Sequence, residues 1–274
     1  MKNIFFSLSI LMSVLISGCK DLGQGVDIPP NQNKYPANLN MEWEYVTTRI
    51  IEYYDTLGNI SNTDTTLLGN TIIKVIGIND TLATLSNLIK FESYDISTPE
   101  NKNYCWYSNS DTGFIAIAYL NPGSTQFVLP KTKEKPYLTF DELSAIINST
   151  EQNLFPLTSK VFSDSVQYYE IPRKVLAYPL SINKRWIELI LPFYRERYVD
   201  GMVNINFNGQ SINCYKVKVD WEYKIELNDF INLNDGLVKR EIVADSIMFT
   251  SEINPDSGGF GNIIDISNLV RFTR

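Results

Sequence analysis

The sequence predicts a mainly β protein, built on an antiparallel sheet with one or two short helices. Three observations lead there. Aromatic and β-branched residues alternate with polar ones at period two, Gly, Asn and Asp pairs punctuate those runs at hairpin spacing, and one segment alone joins a helical stripe to a capping signature.

The first strand is MEWEYVTTRIIEYY. Trp43, Tyr45, Thr47, Arg49, Ile51 and Tyr53 share one parity, and Glu42, Glu44 and Glu52 take the other. Successive side chains of a strand point to opposite faces, so the aromatic set faces a core. Gly58-Asn59 sits in the following turn. TIIKVIGI, LIKFESYDI, NYCWYS and GFIAIAYL continue the pattern, separated by Asn, Asp, Gly, Ser and Pro. The helix is TFDELSAIIN, with Thr139 as N-cap and Glu142 three residues on, a capping box. Phe140, Leu143, Ile146 and Ile147 form its apolar stripe, to be packed over the sheet or across a barrel mouth. Pro136 and Pro156 bound its neighbourhood. Asp200-Gly201, Asn208-Gly209 and Asp235-Gly236 then lie between strand-like runs, as type I′ turns prefer. After the second of them, Tyr215, Val217, Val219, Trp221 and Tyr223 alternate with Lys216, Lys218, Asp220 and Glu222, giving one dry face and one wet one.

Composition removes many reactions. The chain has no histidine, so Ser-His-Asp and Cys-His catalysis, HExxH zinc sites and imidazole bases are excluded. Its formal net charge is −7 with no basic cluster, which argues against nucleic acid and against an anionic bilayer surface as direct ligand. Besides Cys19 there are Cys105 and Cys214, too few for a thiolate zinc site. They are either a disulfide pair or two separate small core residues on different strands. The 16 Tyr and 14 Phe could line a ligand cleft, but strand aromatics are more often core.

The remaining motifs test poorly. NINFNG places Asn204, Asn206 and Asn208 at alternate positions before Gly209, but the twelfth place of that calcium-loop pattern is Tyr215 rather than Glu, so a turn is expected. GGFG, Gly258 to Gly261, lacks the strand and helix that a phosphate cradle requires and reads as a flexible loop. Glu42/Glu44 and Asp220/Glu222 are carboxylate pairs on one strand face, available in principle for glycoside chemistry, although alternating charge on a wet face is commoner. No catalytic residue and no metal ligand is assigned, no cofactor is expected, and the ligand-binding residues are unknown. Asp55-Thr56-Leu57, Asp64-Thr65-Thr66, Asp80-Thr81-Leu82, Asp164-Ser165-Val166 and Asp245-Ser246-Ile247 resemble an envelope O-glycosylation sequon, a string that a turn Asp leading into a strand also produces.

At the N-terminus, Lys2 precedes an apolar run of about 13 residues, Ile4 to Ile16, too short for a spanning helix of about 20 and suited to a signal peptide. It ends in Leu15-Ile16-Ser17-Gly18-Cys19, which resembles the lipobox of bacterial lipoproteins. The resemblance implies cleavage before Cys19 and acylation of that residue, and two or three acyl chains anchor a protein firmly. Lys20 stands where some inner-membrane lipoproteins carry Asp, which implies the outer membrane. Residues 1–18 are therefore a lipoprotein signal peptide and 19–40 a lipidated Gly/Pro/Asn-rich tether spanning roughly 25 Å. Residues 41–274 form the β-rich domain. A junction between two half-sheets, if there is one, falls near 131–158.

In the second half, YPLSINKRWIEL, RYVDGMVNINFNGQSINCYKVKV and NDGLVKREI follow in order. Tyr178, Pro179, Leu180, Trp186, Cys214 to Val217 and Gly236 to Lys239 make this region similar to a group of uncharacterised envelope lipoproteins. In that group a Gly is common before the Trp, where this chain has Asn183 or Lys184. The resemblance implies a strongly curved antiparallel sheet, an open half-barrel akin to the lipoprotein carrier and receptor proteins of the Lol pathway. The expected function is a membrane-anchored, non-enzymatic binding module holding an apolar or lipid ligand in the sheet's concavity. A structural or accessory subunit of an envelope complex is the alternative, and a carboxylate-based glycoside-active enzyme comes third.

Overall fold

Long runs of alternating polarity can bury their dry face only by curling the sheet on itself. The computed structural model describes residues 33–120, 137–151, 165–190, 194–221, 223–249 and 259–274. Its strands are β1 Glu42–Tyr54, β2 Ile60–Leu82, β3 Leu85–Asp95, β4 Asn103–Ser110, β5 Gly113–Leu120, β6 Gln167–Ala177, β7 Arg185–Leu189, β8 Arg195–Phe207, β9 Gln210–Trp221, β10 Ile225–Asn232, β11 Gly236–Met248 and β12 Phe260–Thr273. One helix, α1 Phe140–Glu151, stands among the described residues. The strands form one twelve-stranded sheet in the order β6-β5-β4-β3-β2-β1-β12-β11-β10-β9-β8-β7. Every neighbouring pair is antiparallel. Bulges such as those at Glu44/Tyr45, Thr47/Thr48 and Ile187/Leu189 bend the strands, and the result is a nearly closed barrel, more complete than an open half-barrel.

The two end strands, β6 and β7, meet without ladder pairing among the described residues. Side chains close this seam. Trp186 Nε1 donates to the Lys174 carbonyl at 2.9 Å, and Arg173 Nη2 donates to Glu188 Oε1 at 3.1 Å. Asn183, in the turn before Trp186, has φ 66, the left-handed conformation that Gly and Asn adopt most readily.

The inward parity of β1 is as expected, with Trp43, Tyr45, Thr47 and Tyr53 all buried. Outward positions carry Glu42, Glu44, Lys74, Lys218, Glu241 and Arg271, several of them in ion pairs. A lipid-facing barrel wall would present an apolar band instead. No described helix is long and apolar enough to cross a membrane.

Turn chemistry divides three ways. Asn208 and Gly209 have φ 52 and 77, a type I′ turn between β8 and β9, and Gly209 N–H donates to Asn206 Oδ1 at 3.1 Å. NINFNG is thus a hairpin tip. Asp235-Gly236 closes a longer loop in which Asn232 Oδ1 accepts the N–H groups of Asn234 and Asp235, at 2.7 and 3.1 Å. Asp200-Gly201 is not a turn at all. It lies inside β8 at the register shift between Val199 and Gly201, because RERYV and MVNINF are one long strand and the extra residue is absorbed as a bulge. Phe260 and Gly261 of GGFG likewise open β12 rather than a loop, while Gly258 lies outside the described residues.

The expected capping box is present. Thr139 N–H donates to Glu142 Oε2 at 2.9 Å, and Glu142 N–H donates to Thr139 Oγ1 at 3.2 Å. Leu143 and Ile146 pack into one end of the barrel with Tyr53, Ile225, Ile247 and Phe249. The side chain of Ile147 lies outside the described residues. Thr139→Ala should lower stability by about 1 kcal/mol, read as a shift of the urea midpoint at unchanged slope.

The folded unit runs Asn33–Arg274 and is not divided near 131–158, a stretch of which only 137–151 is described. Residues 33–40 therefore belong to the body rather than to a free tether. Tyr35, 3% exposed, stacks on Phe114 at 4.9 Å and closes the barrel end opposite α1. Residues 1–32 lie outside the described residues, and with them the signal peptide, Cys19 and the rest of the proposed tether.

Candidate functional site

Two apolar clusters fill the barrel, and polar side chains separate them strand by strand. The first contains Trp43, Tyr45, Val199, Val217, Ile231, Leu237 and Leu269. The second contains Tyr53, Val219, Leu227, Ile242 and Ile263. Between them stand Thr47 and Arg49 on β1, Asp265 and Ser267 on β12, Arg240 on β11, Asp229 on β10, Arg197 on β8, Glu188 on β7 and Arg173 on β6. A polar girdle thus crosses the interior on β1, β12, β11, β10, β8, β7 and β6.

Strand periodicity puts these residues there. Arg195 and Arg197 share the parity of Val199, Asp229 that of Leu227 and Ile231, and Arg240 that of Ile242. In the register, Ile187 pairs with Glu196 and Leu189 with Arg195, so Glu188 occupies the shift between them. Its Oε1 accepts from Arg195 Nη2 at 2.6 Å and Arg173 Nη2 at 3.1 Å, and its Oε2 from Arg197 Nε at 2.7 Å. Arg197 Nη1 reaches Asp229 Oδ2 at 2.8 Å, and Arg240 holds both Asp229 oxygens at 2.6 and 3.1 Å. Beside this network Arg49 grips Asp265 with two bonds of 2.7 and 2.6 Å, while Thr47 and Ser267 share a bond of 2.9 Å.

Burial pushes the Glu188 carboxyl up, but Arg195, Arg197 and Arg173 together overcome it and hold the group well below the usual carboxylate range. Asp229 is lowered in the same way, burial being outweighed by Arg240 and Arg197. Burial pulls Arg195 down to about 9, against the pull of Glu188. Arg195, Arg197, Val199, Val217 and Ile231 have 0% exposure, so side chains fill the barrel at this level.

The sequence-predicted candidates fall elsewhere. Glu42 and Glu44 lie on the outer face and both bind Arg271, at 3.0 and 2.8 Å. Asp220 pairs with Arg185 at 3.1 Å, and Glu222 lies outside the described residues. Among the described residues no group of three His, Cys, Asp or Glu side chains could hold a metal ion. Thr56, Thr65, Thr81, Ser165 and Ser246, the hydroxyls of the five sequon-like strings, are all exposed.

Cys105 and Cys214 share no disulfide and are both buried, the first in the interior and the second in an outer cluster with Phe230 and Val238. Burial pushes both thiols up to about 12. Neither should react with iodoacetamide at neutral pH until denaturant is added, which an intact mass of the treated protein would check.

No family model matches the chain, and no curated protein matches it. A solved structure of a Bacteroides fragilis protein, described as exported and as having a YmcC-like fold, aligns with 89% of this chain and 100% of its own length, at 11% identity and a TM-score of 0.38. At that score the fold rests on the strand pairing itself.

Proposed function

We propose that the chain is a non-enzymatic binding module of the bacterial envelope, lipid-anchored at Cys19 in the outer membrane, whose barrel takes up an apolar or lipid ligand. The observation that carries this reading is the β6–β7 seam, the one junction of consecutive end strands that side chains hold without ladder bonds among the described residues. With α1 at one end and Tyr35 at the other, lateral parting of that seam breaks no ladder bond among the described residues. Uptake then displaces the side chains that fill the closed interior.

Native mass spectrometry of the full chain, extracted gently from its own membranes, tests the reading. A co-purifying lipid mass is expected, and bare lipoprotein mass under every gentle condition would sink it. Labelled fatty acid should mark the wild type and miss Cys19→Ala.

A second reading, an accessory subunit of an envelope complex, draws on the β1–β2 hairpin. Ile60 to Leu68 are all exposed, with Leu57 at 84% and Leu67 at 63%, and β3 pairs with β2 only from Thr71 onward. Under this reading Leu57→Asp with Leu67→Asp would abolish co-purification of a partner protein and leave any lipid load intact.

A further inference from the structure

β2 is 23 residues long, and its two halves have different neighbours. From Thr71 onward it lies between β1 and β3. Among the described residues, 60–69 have ladder partners on β1 alone, and the Asn70 carbonyl, bonded to the Ile96 N–H at 2.8 Å, ends the open stretch. The outer edge of this arm is therefore a row of backbone N–H and C=O groups without a ladder partner there. Residues 60–68 are exposed without a break, so neither face of the arm is covered.

Such an edge is ordinarily blunted by Lys, Pro or a strong bulge. ISNTDTTLLG, residues 60–69, contains no Lys, Arg or Pro, and Asp64 is its one charge. Register shifts at Tyr53/Tyr54 and Thr47/Thr48 mark its two ends. Between them Asn62 to Leu67 pair in unbroken register with Tyr53 to Thr48. A regular, Thr-rich edge without guards is a template for another extended strand.

The edge is also self-complementary. Two copies related by a two-fold axis bring their arms together antiparallel, and facing residues of an antiparallel pair point to the same side of the sheet. The axis therefore passes through a residue, and the middle residues of the open stretch are Asp64 and Thr65. An axis through Asp64 sets two carboxylates against each other. An axis through Thr65 sets Asp64 against Thr66 of the second copy and Thr63 against its Leu67, with no like charges opposed. Thr65 shares a rung with Ile50 and Ile264, so this register also joins apolar rungs of the two sheets.

We propose that residues 60–69 are a dimer edge, on which a second copy of this chain pairs antiparallel about an axis through Thr65. The dimer is independent of lipid uptake, and it occupies the surface on which the accessory-subunit reading draws.

Sedimentation of the full chain in a neutral, density-matched detergent should show a dimer that dissociates on dilution. Thr65→Lys sets two ammonium groups opposite each other on the axis and should weaken the dimer about tenfold. Thr81→Lys, on the half of β2 that β3 already pairs, should not. Both threonines are exposed, so neither change disturbs packing. A short bismaleimide should join Thr65→Cys chains into a species of twice the mass. Thr81→Cys and the unchanged chain should stay monomeric under the same treatment, since Cys105 and Cys214 are buried. With a formal charge of −7 on each chain, repulsion opposes pairing, and raising the salt should tighten the dimer. A monomer at every concentration overturns the dimer edge, as does a dimer that Thr65→Lys leaves intact or that salt loosens. A different protein cross-linked at Thr65→Cys, without the double-mass species, removes the dimer and leaves the accessory-subunit reading standing. The double-mass species without co-purifying lipid keeps the dimer and removes the binding module.

Discussion

Glu188→Gln is expected to lower the unfolding free energy by roughly 3–5 kcal/mol, because it removes the carboxylate charge that three buried guanidinium groups share. Glu188 accepts from Arg173, Arg195 and Arg197, and all four side chains are shielded from water. Glutamine keeps the shape and one oxygen, so the loss is electrostatic and not a cavity. Glu196, eight residues on in the chain and facing outward, is the control. It pairs with a half-exposed Arg185 at 3.2 Å, so Glu196→Gln should cost no more than about 1 kcal/mol. Urea midpoints at constant slope measure both, and equal losses would mean that the girdle is no stronger than a surface pair. Replacing Glu188 and Arg195 together by Gln and Met should recover part of the loss, since the second change removes one of the buried charges that Glu188 had balanced.

The same network sets an acid limit. Glu188 and Asp229 have folded-state values below their unfolded ones, so the unfolded chain binds protons first as pH falls. Their contribution is complete above the ordinary carboxylate range near pH 4–4.5 and is lost as pH drops through that range toward the folded values. Each group adds at most about 1.4 kcal/mol per pH unit to the slope. Stability of the Glu188→Gln variant should therefore fall less steeply below pH 4 than that of the wild type. Parallel slopes would show that Glu188 is not held low.

Much of the fold was legible because the strands are long and one face of each is wet. MEWEYVTTRIIEYY names its inward residues outright, Thr47 and Arg49 included, and Thr139 with Glu142 announces α1. The girdle was less visible, although a signal existed. Arg195 and Arg197 stand at the parity of Val199, and Asp229 at the parity of Leu227 and Ile231, so charge on a dry face was there to be read. Such residues look like ordinary wet-face charges until their partners are known, and those partners lie on other strands, Glu188 with β6 and β8, Asp229 with β8 and β11. Register decides the matter, and bulges set the register. The Ile187/Leu189 shift that places Glu188, and the Val199/Gly201 shift that turns an expected hairpin into continuous strand, leave no mark in the period-two pattern. The seam is likewise a property of closure, not of either strand alone.

Tyr35→Ala should cost roughly 3–5 kcal/mol, the range for truncating a large buried aromatic. The residue sits in a stretch whose composition reads as linker, yet its ring stacks on Phe114 at 4.9 Å and lies 6.2 Å from Trp43. Its hydroxyl accepts the Leu237 N–H at 3.3 Å, its N–H donates to Tyr178 Oη at 2.7 Å, and its carbonyl accepts from Asn109 at 2.9 Å. Gly236 fits beneath it, because a Cβ there would come within 2.8 Å of the Tyr35 hydroxyl, and its φ of 87 already disfavours a side chain. The glycine of NDG therefore serves the plug as well as the turn. A chain beginning at Asn33 should keep the urea midpoint of the full protein, whereas one beginning at Met41 should lose at least as much as Tyr35→Ala. If the shorter chain matched the longer one, Tyr35 would be an ornament on a barrel closed by its strands. If it falls as expected, residues 33–40 are fastened into the core and hold that end of the barrel shut.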